Sequence, residues 1–229
     1  MDDCVTTLFD YPAKAAFGRV LPKNKIYEYA SPTTGLKELF VKQVDQIVWK
    51  YKLAPETINL TAIRAVPEIQ IFHVTLKNGE LKEDVLRCID KAIPFPIIFE
   101  LYFDGKCKNI ACYKRPSEAD STKWVVSEYF STEWIAEDTM REPLPVALDL
   151  GALYERLLSP LMPYPAIGKE HLQDRVARME KIRAKQRELE KSEARLNKEK
   201  QFNRKVEINA EIRNIKHEIA TLTTVTATG

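Results

Sequence analysis

The sequence predicts an α+β fold in which an antiparallel sheet with flanking helices is followed by a long C-terminal coiled-coil helix or helical hairpin. Two observations lead to this prediction. A nearly continuous apolar run at residues 97–103 indicates a central strand, and the Asp104-Gly105 pair after it is a strong hairpin signal. Residues 169–228 contain neither Pro nor Gly, and apolar residues recur there at alternating steps of four and three, as in a coiled coil.

The chain divides into three predicted segments. Residues 1–80 are interpreted as mixed α/β structure, and residues 81–166 as an antiparallel meander with helices that forms one globular body with them. Residues 167–229 form the coiled-coil arm. Three prolines within residues 160–165 indicate a linker before the arm.

The first segment predicts one helix and two strands. Residues 35–46 carry apolar side chains at helical spacing, and Thr33 or Thr34 supplies the N-cap. Residues 47–53 alternate between apolar and polar types, which is typical of a strand. Residues 68–76 form a stronger strand whose apolar positions change phase, which indicates a bulge or a strand covered on both faces.

The second segment contains the meander. Its predicted elements are a helix, three strands and a further helix, at residues 83–93, 97–103, 106–114, 123–130 and 148–158. A two-residue turn at 104–105 pairs Glu100 with Asn109, and strand alternation then places Glu100 on the opposite face from Cys112 and Lys114. If Glu100 has a structural role, we expect it to be hydrogen-bonded to a neighbour or to lie at a domain or subunit contact.

The arm carries a narrow apolar seam that is too exposed to be stable on an isolated helix. The polar stretch 197–201 is either a hairpin corner or part of one continuous helix, and the absence of Gly and Pro there favours continuity. A continuous helix of about 54 residues would span roughly 80 Å. We therefore expect the seam to form an assembly interface with another helix, through Ile208, Ile212, Ile215, Ile219 and Leu222.

Composition and motifs exclude several classes of protein. With 229 residues, 45% of them hydrophobic, the chain can bury a sizeable core, and no apolar run approaches the roughly 20 residues of a membrane span. The first residues lack the features of a signal peptide, which predicts a cytoplasmic protein. The four Cys and three His are scattered, and the seven Gly form no phosphate-binding loop. No metal, cofactor or catalytic residue is predicted.

A nuclease is the enzymatic alternative. Metal-dependent restriction-type nucleases place one acid on a strand and an acid-x-Lys motif on the next strand, with both carboxylates on the face that holds the metal. In this sequence Cys112 stands where the second acid is needed, and Glu100 points away from Lys114. The alternative to a non-catalytic protein is a DNA-binding or nuclease-like enzyme that uses the meander at residues 97–130.

Basic residues provide candidate contacts to nucleic acid. The arm is basic, with 15 Lys or Arg against 10 Asp or Glu in residues 169–229, but we find no helix suited to reading bases. We expect weak, sequence-independent and salt-sensitive binding to DNA phosphates. The candidate contacts are Lys114, Arg115, Lys123, Arg175, Arg178, Arg183 and Arg187, and Trp124 lies near the first three as an aromatic surface for a base.

Five stretches of the sequence, spread over nearly the whole chain, carry a family resemblance. They are I-x-W-x-YKL-x-PETINL at 47–60, IDKAIP-x-PIIFEL at 89–101, ACYKR at 111–115, the pieces LP, LDL and LYE within 144–155, and EKQFNRKVEIN at 199–209. The chain resembles a family of bacterial proteins classed only as a domain of unknown function. They are often encoded beside a DNA helicase and a DNA methyltransferase in restriction or phage-defence islands.

The resemblance implies no catalytic residues, because the family brings none. It implies a non-catalytic accessory subunit of a restriction-modification or phage-defence system. The coiled coil would dock the helicase, the methyltransferase or a second copy of the chain. The expected partners are therefore proteins, with DNA held weakly and without sequence preference.

Overall fold

The computed structural model describes residues 8–120 and 123–224. The chain divides into two compact units between Pro163 and Tyr164. The first unit is built on a mixed sheet with helices, and the second on two long helices. None of the helices in the described ranges has both the length and the apolar character needed to cross a membrane.

The described residues of the first unit form nine strands, five α-helices and two short 3-10 helices. The strands are β1 (Phe9–Asp10), β2 (Ala16–Val20), β3 (Val44–Leu53), β4 (Ile69–Leu76), β5 (Ile97–Phe103), β6 (Lys106–Pro116), β7 (Trp124–Ser131), β8 (Ile135–Ala136) and β9 (Glu142–Pro143). The helices are α1 (Lys23–Ala30), α2 (Thr34–Gln43), α3 (Pro55–Ile58), α4 (Glu83–Ala92) and α5 (Leu150–Leu158), with 3-10 helices at Ala13–Ala15 and Ser159–Leu161.

The main sheet has the strand order β2-β3-β4-β5-β6-β7, and β8 pairs with β6. The predicted antiparallel sheet with flanking helices is confirmed with one difference, because β4 and β5 run parallel. The helix α4 lies between these two strands in the chain, and such a crossover returns the chain to begin the next strand in the same direction. The short strands β1 and β9 form a separate parallel pair.

The β5–β6 hairpin forms at the predicted turn. Asp104 and Gly105 both have positive φ angles, 49° and 68°, as a type I′ turn requires, and the twist of that turn matches the twist of the strands. The register pairs Glu100 with Asn109, as predicted. Because strand side chains alternate between faces, this register fixes which face of the sheet each side chain of the hairpin occupies.

β4 is the strand whose apolar positions change phase in the sequence. It lies between β3 and β5, and Ile69, Ile71, Phe72 and Val74 are all buried. These residues include both odd and even positions, so the strand is covered on both faces. The register of the β3–β4 pair shifts twice, and each time the extra residue lies on β3. Coverage on both faces therefore explains the phase change in β4.

Two helices of the first unit, α2 and α5, begin after a residue whose side chain caps the helix. The Thr33 hydroxyl accepts a hydrogen bond from the Leu36 N–H at 3.4 Å, which makes Thr33 the N-cap of α2. This helix ends at Gln43, before the predicted end at residue 46, because Val44 already begins β3. Asp149 caps α5 in the same way as Thr33 caps α2.

The second unit is a helical hairpin of α6 (Leu172–Lys198) and α7 (Phe202–Thr223). The prediction of one continuous helix is wrong, and the hairpin alternative is confirmed. Glu199 makes the corner, because its Oε1 accepts hydrogen bonds from the N–H groups of Lys200 and Gln201 at 2.7 and 2.9 Å. In a continuous helix those N–H groups would bond to backbone carbonyls one turn earlier, so the Glu199 side chain replaces the helical ladder.

The apolar seam of α7 packs inside this hairpin. Ile208, Ile212 and Ile215 are buried, and Ile219 and Leu222 are half-buried. The prediction that the seam needs another helix to cover it is confirmed, and α6 of the same chain supplies that helix. The role of the seam as an assembly interface between chains stays a prediction.

Ion pairs along the hairpin show that α6 and α7 run antiparallel. Lys185, in the middle of α6, lies 2.8 Å from Glu218 near the end of α7, and Arg195 lies 3.3 Å from Glu211 nearer the corner. The buried Ser192 hydroxyl also donates to the Glu211 carboxylate at 2.9 Å. These partly exposed contacts contribute little energy individually but agree on one register for the two helices.

We predict that Ile212→Asp combined with Ile215→Asp unfolds the hairpin while the first unit stays folded. Two carboxylates would be buried without partners, which an apolar interface between two helices cannot compensate. Far-UV circular dichroism should lose the contribution of the two long helices. Tryptophan fluorescence should stay native, because all three Trp lie in the first unit.

The matched control is Arg213→Asp with Asn214→Asp. These positions are exposed on the same turn of α7, so the control should keep the native circular dichroism spectrum. Equal spectra for the two double variants would contradict the packing of the seam against α6.

Candidate functional site

Two clusters of buried charge lie on opposite faces of the main sheet. The first, the Asp90 cluster, consists of Asp90, Cys112, Lys114 and Tyr129, on the face covered by α4. The second, the Glu100 cluster, consists of His73, Glu100, Tyr102 and Arg141. The predicted separation of Glu100 from Cys112 and Lys114 is therefore confirmed.

Lys114 reaches from β6 to the end of α4, and its side chain is inaccessible to solvent. Its Nζ lies 3.2 Å from Asp90 Oδ1 and donates to the Asp90 carbonyl at 2.5 Å and to the Ile93 carbonyl. The three donors of the ammonium group thus have three acceptors. Two of those acceptors are carbonyls at the C-terminus of α4, where the helix dipole favours a positive charge.

The second carboxylate oxygen of Asp90 is also occupied by protein groups. The Tyr129 hydroxyl donates to Oδ2, and the Cys112 thiol lies 3.6 Å from the same atom. Burial raises the pKa of Asp90, and the Lys114 charge and the Tyr129 hydrogen bond oppose that rise. Burial and the Asp90 charge raise the pKa values of Tyr129 and Cys112, so both groups stay neutral donors.

The Asp90 cluster corrects the predicted role of Lys114. A lysine with no accessible side-chain surface and three internal acceptors is not a surface contact for DNA phosphates. Asp90 is the acid beside Lys114, and the sequence analysis missed it. The signal was present, because Asp90 lies on α4 between Leu86 and Ile93, on the side that carries the buried apolar residues.

The cluster lacks the arrangement of a two-carboxylate metal site. Asp90 comes from a helix and Glu100 lies on the other face of the sheet, so one carboxylate accompanies Lys114. Among residues 8–120 and 123–224, no group of three or more His, Cys, Asp or Glu side chains is placed to hold a metal ion.

The Glu100 cluster is organised by a bidentate ion pair. Arg141 Nη1 lies 3.2 Å from Oε1 of Glu100, and Nη2 lies 3.0 Å from Oε2. The Tyr102 hydroxyl donates to Oε2 at 2.6 Å. His73 Nε2 is 3.0 Å from the same oxygen without the alignment of a hydrogen bond. Burial raises the pKa of Glu100, but His73 and Arg141 outweigh it and lower the pKa from 4.5 to about 2.

Arg141 connects this cluster to the small parallel sheet. Its Nη1 also donates to the Phe9 carbonyl at 3.0 Å, and Phe9 pairs with Glu142 in the β1–β9 sheet. Glu100 therefore helps to hold β1 and β9 against the main sheet. The interpretation of Glu100 as an acid hydrogen-bonded to a neighbour is confirmed.

The other predicted nucleic-acid contacts have different environments. Arg115 pairs with Glu118 at 3.3 Å, and Lys123 pairs with Asp120 at 3.1 Å and is largely exposed. Both belong to surface ion pairs of the kind that contribute little stability. They stay candidates for a phosphate contact, together with Trp124, which is half-buried.

Two arginines of α6 are structural. Arg175 is buried and donates to the Tyr164 carbonyl through Nε and Nη2, at 3.0 and 2.6 Å. Arg178 pairs with Glu170 at 2.8 Å and donates to the Pro165 carbonyl at 2.7 Å. Both tie the segment before α6 to the helix, and this corrects their predicted role as DNA contacts. Arg183 and Arg187 lie further along α6 and stay candidate contacts.

A pocket of about 460 Å3 lies beside the Asp90 cluster. We call it the Asp90 pocket. The basic residues Arg87, Lys91 and Lys123 line it together with Trp124. It brings the predicted pair of Lys123 and Trp124 next to two basic residues of α4 that the sequence analysis did not select, because their approach depends on how α4 packs on the sheet.

A family model described as a domain of unknown function (DUF4391) matches residues 9–219. The chain belongs to this family. No curated protein and no solved structure matches the chain. The resemblance to an uncharacterised family is thus confirmed, and the DUF4391 match extends from β1 into α7.

We predict that Lys114→Met destabilises this DUF4391 chain by about 3–5 kcal/mol, because it leaves the Asp90 carboxylate buried without its cation. Combining Lys114→Met with Asp90→Asn should recover a large part of that loss. The measurement is urea denaturation followed by tryptophan fluorescence. Lys106→Met, at an exposed position of the same strand, should change stability by less than about 0.5 kcal/mol. A double variant no more stable than Lys114→Met would contradict the pairing.

We also predict acid sensitivity from Glu100. The unfolded chain binds a proton at Glu100 near pH 4.5, whereas the folded chain does so near pH 2. The stabilisation is therefore present above pH 4.5 and is lost as pH falls toward 2, by about 3 kcal/mol in total. Between pH 4.5 and 2, the free energy of unfolding should fall less for Glu100→Gln than for the unmodified chain. Parallel pH profiles would contradict the lowered pKa.

Proposed function

We propose that this chain is a non-catalytic accessory subunit that docks a protein partner through the corner end of its helical hairpin. The proposed partner is a DNA helicase or DNA methyltransferase of a bacterial restriction or phage-defence system. The observation that carries the proposal is an exposed apolar pair on α7. Phe202 and Val206 are 78% and 50% exposed, although the rest of the hairpin buries its apolar seam.

The spacing of these two residues supports a contact surface. Positions four apart in a helix lie on the same side, so Phe202 and Val206 form one continuous apolar patch at the start of α7. Aromatic side chains in such positions anchor many protein interfaces, where they fill a pocket on the partner. We call this patch, together with the corner at Glu199, the hairpin end.

The charge of the hairpin end supports an acidic partner surface. Residues 198–207, which include Phe202 and Val206, contain four Lys or Arg against two Asp or Glu, a net charge of +2. An apolar pair within a segment of net positive charge suits a partner pocket with carboxylates at its rim, because complementary charge guides the encounter and fixes the register of the complex.

The buried charges of the first unit have a structural role. Lys114 is matched to acceptors at the end of α4, and Glu100 is matched to Arg141 and Tyr102. Both arrangements hold elements of the fold together. The proposal therefore assigns the function to surfaces of the protein and not to these charged groups.

We predict that Phe202→Asp with Val206→Asp abolishes capture of the partner. The tagged full chain would be co-expressed with any DNA helicase or DNA methyltransferase that its own gene neighbourhood encodes, and the complex isolated by affinity purification. We expect one of these proteins to co-purify in a fixed ratio with the unmodified chain and not with the double variant. The variant should keep its circular dichroism spectrum, because both side chains are exposed.

The matched control is Val146→Asp with Leu148→Asp, which replaces two exposed apolar residues of the first unit. This control should co-purify as well as the unmodified chain. Failure of both candidate partners to co-purify would overturn the proposal. A mass by light scattering that shows self-association, lost only in the Phe202 and Val206 variant, would replace the partner with a second copy of the chain.

A further inference from the structure

The geometry of the Asp90 pocket points to a site for a nucleoside phosphate, with the base against Trp124 and the phosphate against Arg87, Lys91 and Lys123. The pocket volume of about 460 Å3 lies within the roughly 300–1,000 Å3 of small-molecule sites. This site lies in the first unit. It is independent of the proposed hairpin contact.

The two walls of the pocket come from different elements. α4 contributes Arg87 and Lys91, which are four residues apart and therefore on the same side of the helix. The start of β7 contributes Trp124 and Val126, and Lys123 immediately precedes it. A ligand that contacts both walls must therefore combine an apolar ring with an anionic group.

The charge balance favours an anion. Arg87 pairs with Glu83, and Lys123 with Asp120, in surface ion pairs between residues three or four apart. Such exposed pairs are weak and exchange readily for a ligand phosphate. Lys91 donates to the neutral carbonyl of Ala30 at 3.1 Å, so no carboxylate balances its charge in that contact.

The buried ion pair explains why Asp90 does not repel an anion at this site. Asp90 belongs to the pocket lining, but its carboxylate is buried, and the Lys114 ammonium 3.2 Å away offsets its charge. The same ammonium lies 6.0 Å from the centre of the Trp124 ring, where it contributes to holding the ring in place. The Asp90 cluster therefore gives the pocket a base in which the two buried charges offset each other.

The aromatic wall selects a nucleoside phosphate over a simple anion. Inorganic phosphate would contact only the three basic side chains, whereas a nucleoside base also stacks on the indole ring, which tightens binding by about tenfold or more. The chemistry is the same whether the unit is a free nucleotide or one nucleotide of a single strand. The experiment therefore tests both sources.

The test is calorimetric titration of the full chain with adenosine monophosphate, a short single-stranded oligodeoxynucleotide and inorganic phosphate. We expect one or both nucleotide probes to bind, and phosphate to bind at least about tenfold more weakly. Binding of the oligonucleotide alone identifies a nucleic-acid strand as the source, and binding of the monophosphate identifies a free nucleotide.

Two pairs of variants assign the binding to this pocket. Trp124→Leu should weaken nucleotide binding about tenfold, and Trp124→Phe should retain most of it because a ring remains. Lys91→Gln should weaken binding and reduce its salt dependence. The matched control is Lys77→Gln, because Lys77 also donates to a backbone carbonyl, that of Val41, but does not line the pocket.

Three results would overturn the inference. They are no binding of either nucleotide probe at concentrations up to roughly millimolar, equal affinity for phosphate and nucleotide, and equal effects of Lys91→Gln and Lys77→Gln. Circular dichroism of each variant separates loss of the site from loss of the fold. Nucleotide binding and partner co-purification are measured separately, so one proposal can be overturned while the other holds.

Discussion

The buried ion pair between Asp90 and Lys114 is the interaction on which the architecture of the first unit depends. A charged ammonium group inside a protein needs a full set of acceptors, and here the end of α4 supplies all of them. The pair thus fixes α4 on one face of the sheet. Because α4 is the crossover between β4 and β5, its docking accompanies the parallel pairing of those two strands.

The same β5–β6 hairpin carries a second buried charge on its other face. The type I′ turn sets the register, and the register sends Glu100 toward Arg141 while Lys114 faces α4. Each charge then fastens one element to the sheet, α4 on one side and the β1–β9 pair on the other. Glu100 and Lys114, which resemble part of a nuclease motif in the sequence, thus attach other elements of the chain to the two faces of the sheet.

The two surfaces proposed for function carry charged side chains that do not belong to the buried clusters. On the hairpin, the apolar seam is buried, and Phe202 and Val206 are exposed beside a basic corner. On the first unit, the basic side chains of α4 and the start of β7 line a pocket whose base is the neutralised Asp90 pair. The two surfaces differ in chemistry, and we propose an acidic protein for the first and an aromatic anion for the second.

The sequence by itself determined the local features of this protein. Asp104-Gly105 selects its turn, Thr33 caps its helix, and the alternation of strand residues separates Glu100 from Lys114, because each depends on residues adjacent in the chain. The partners of the charges depended on the tertiary structure. Asp90 meets Lys114 from 24 residues away, and Glu100 meets Arg141 from 41.

The break in the arm was likewise decided by packing. Residues 197–201 contain no Gly or Pro and favour a continuous helix locally, but folding back lets α6 cover the seam of Ile208, Ile212 and Ile215. The Asp90 pocket required the docking of α4 beside Trp124. Periodicity shows which side of a helix is apolar, whereas the identity of the surface that covers it depends on contacts between residues distant in the chain.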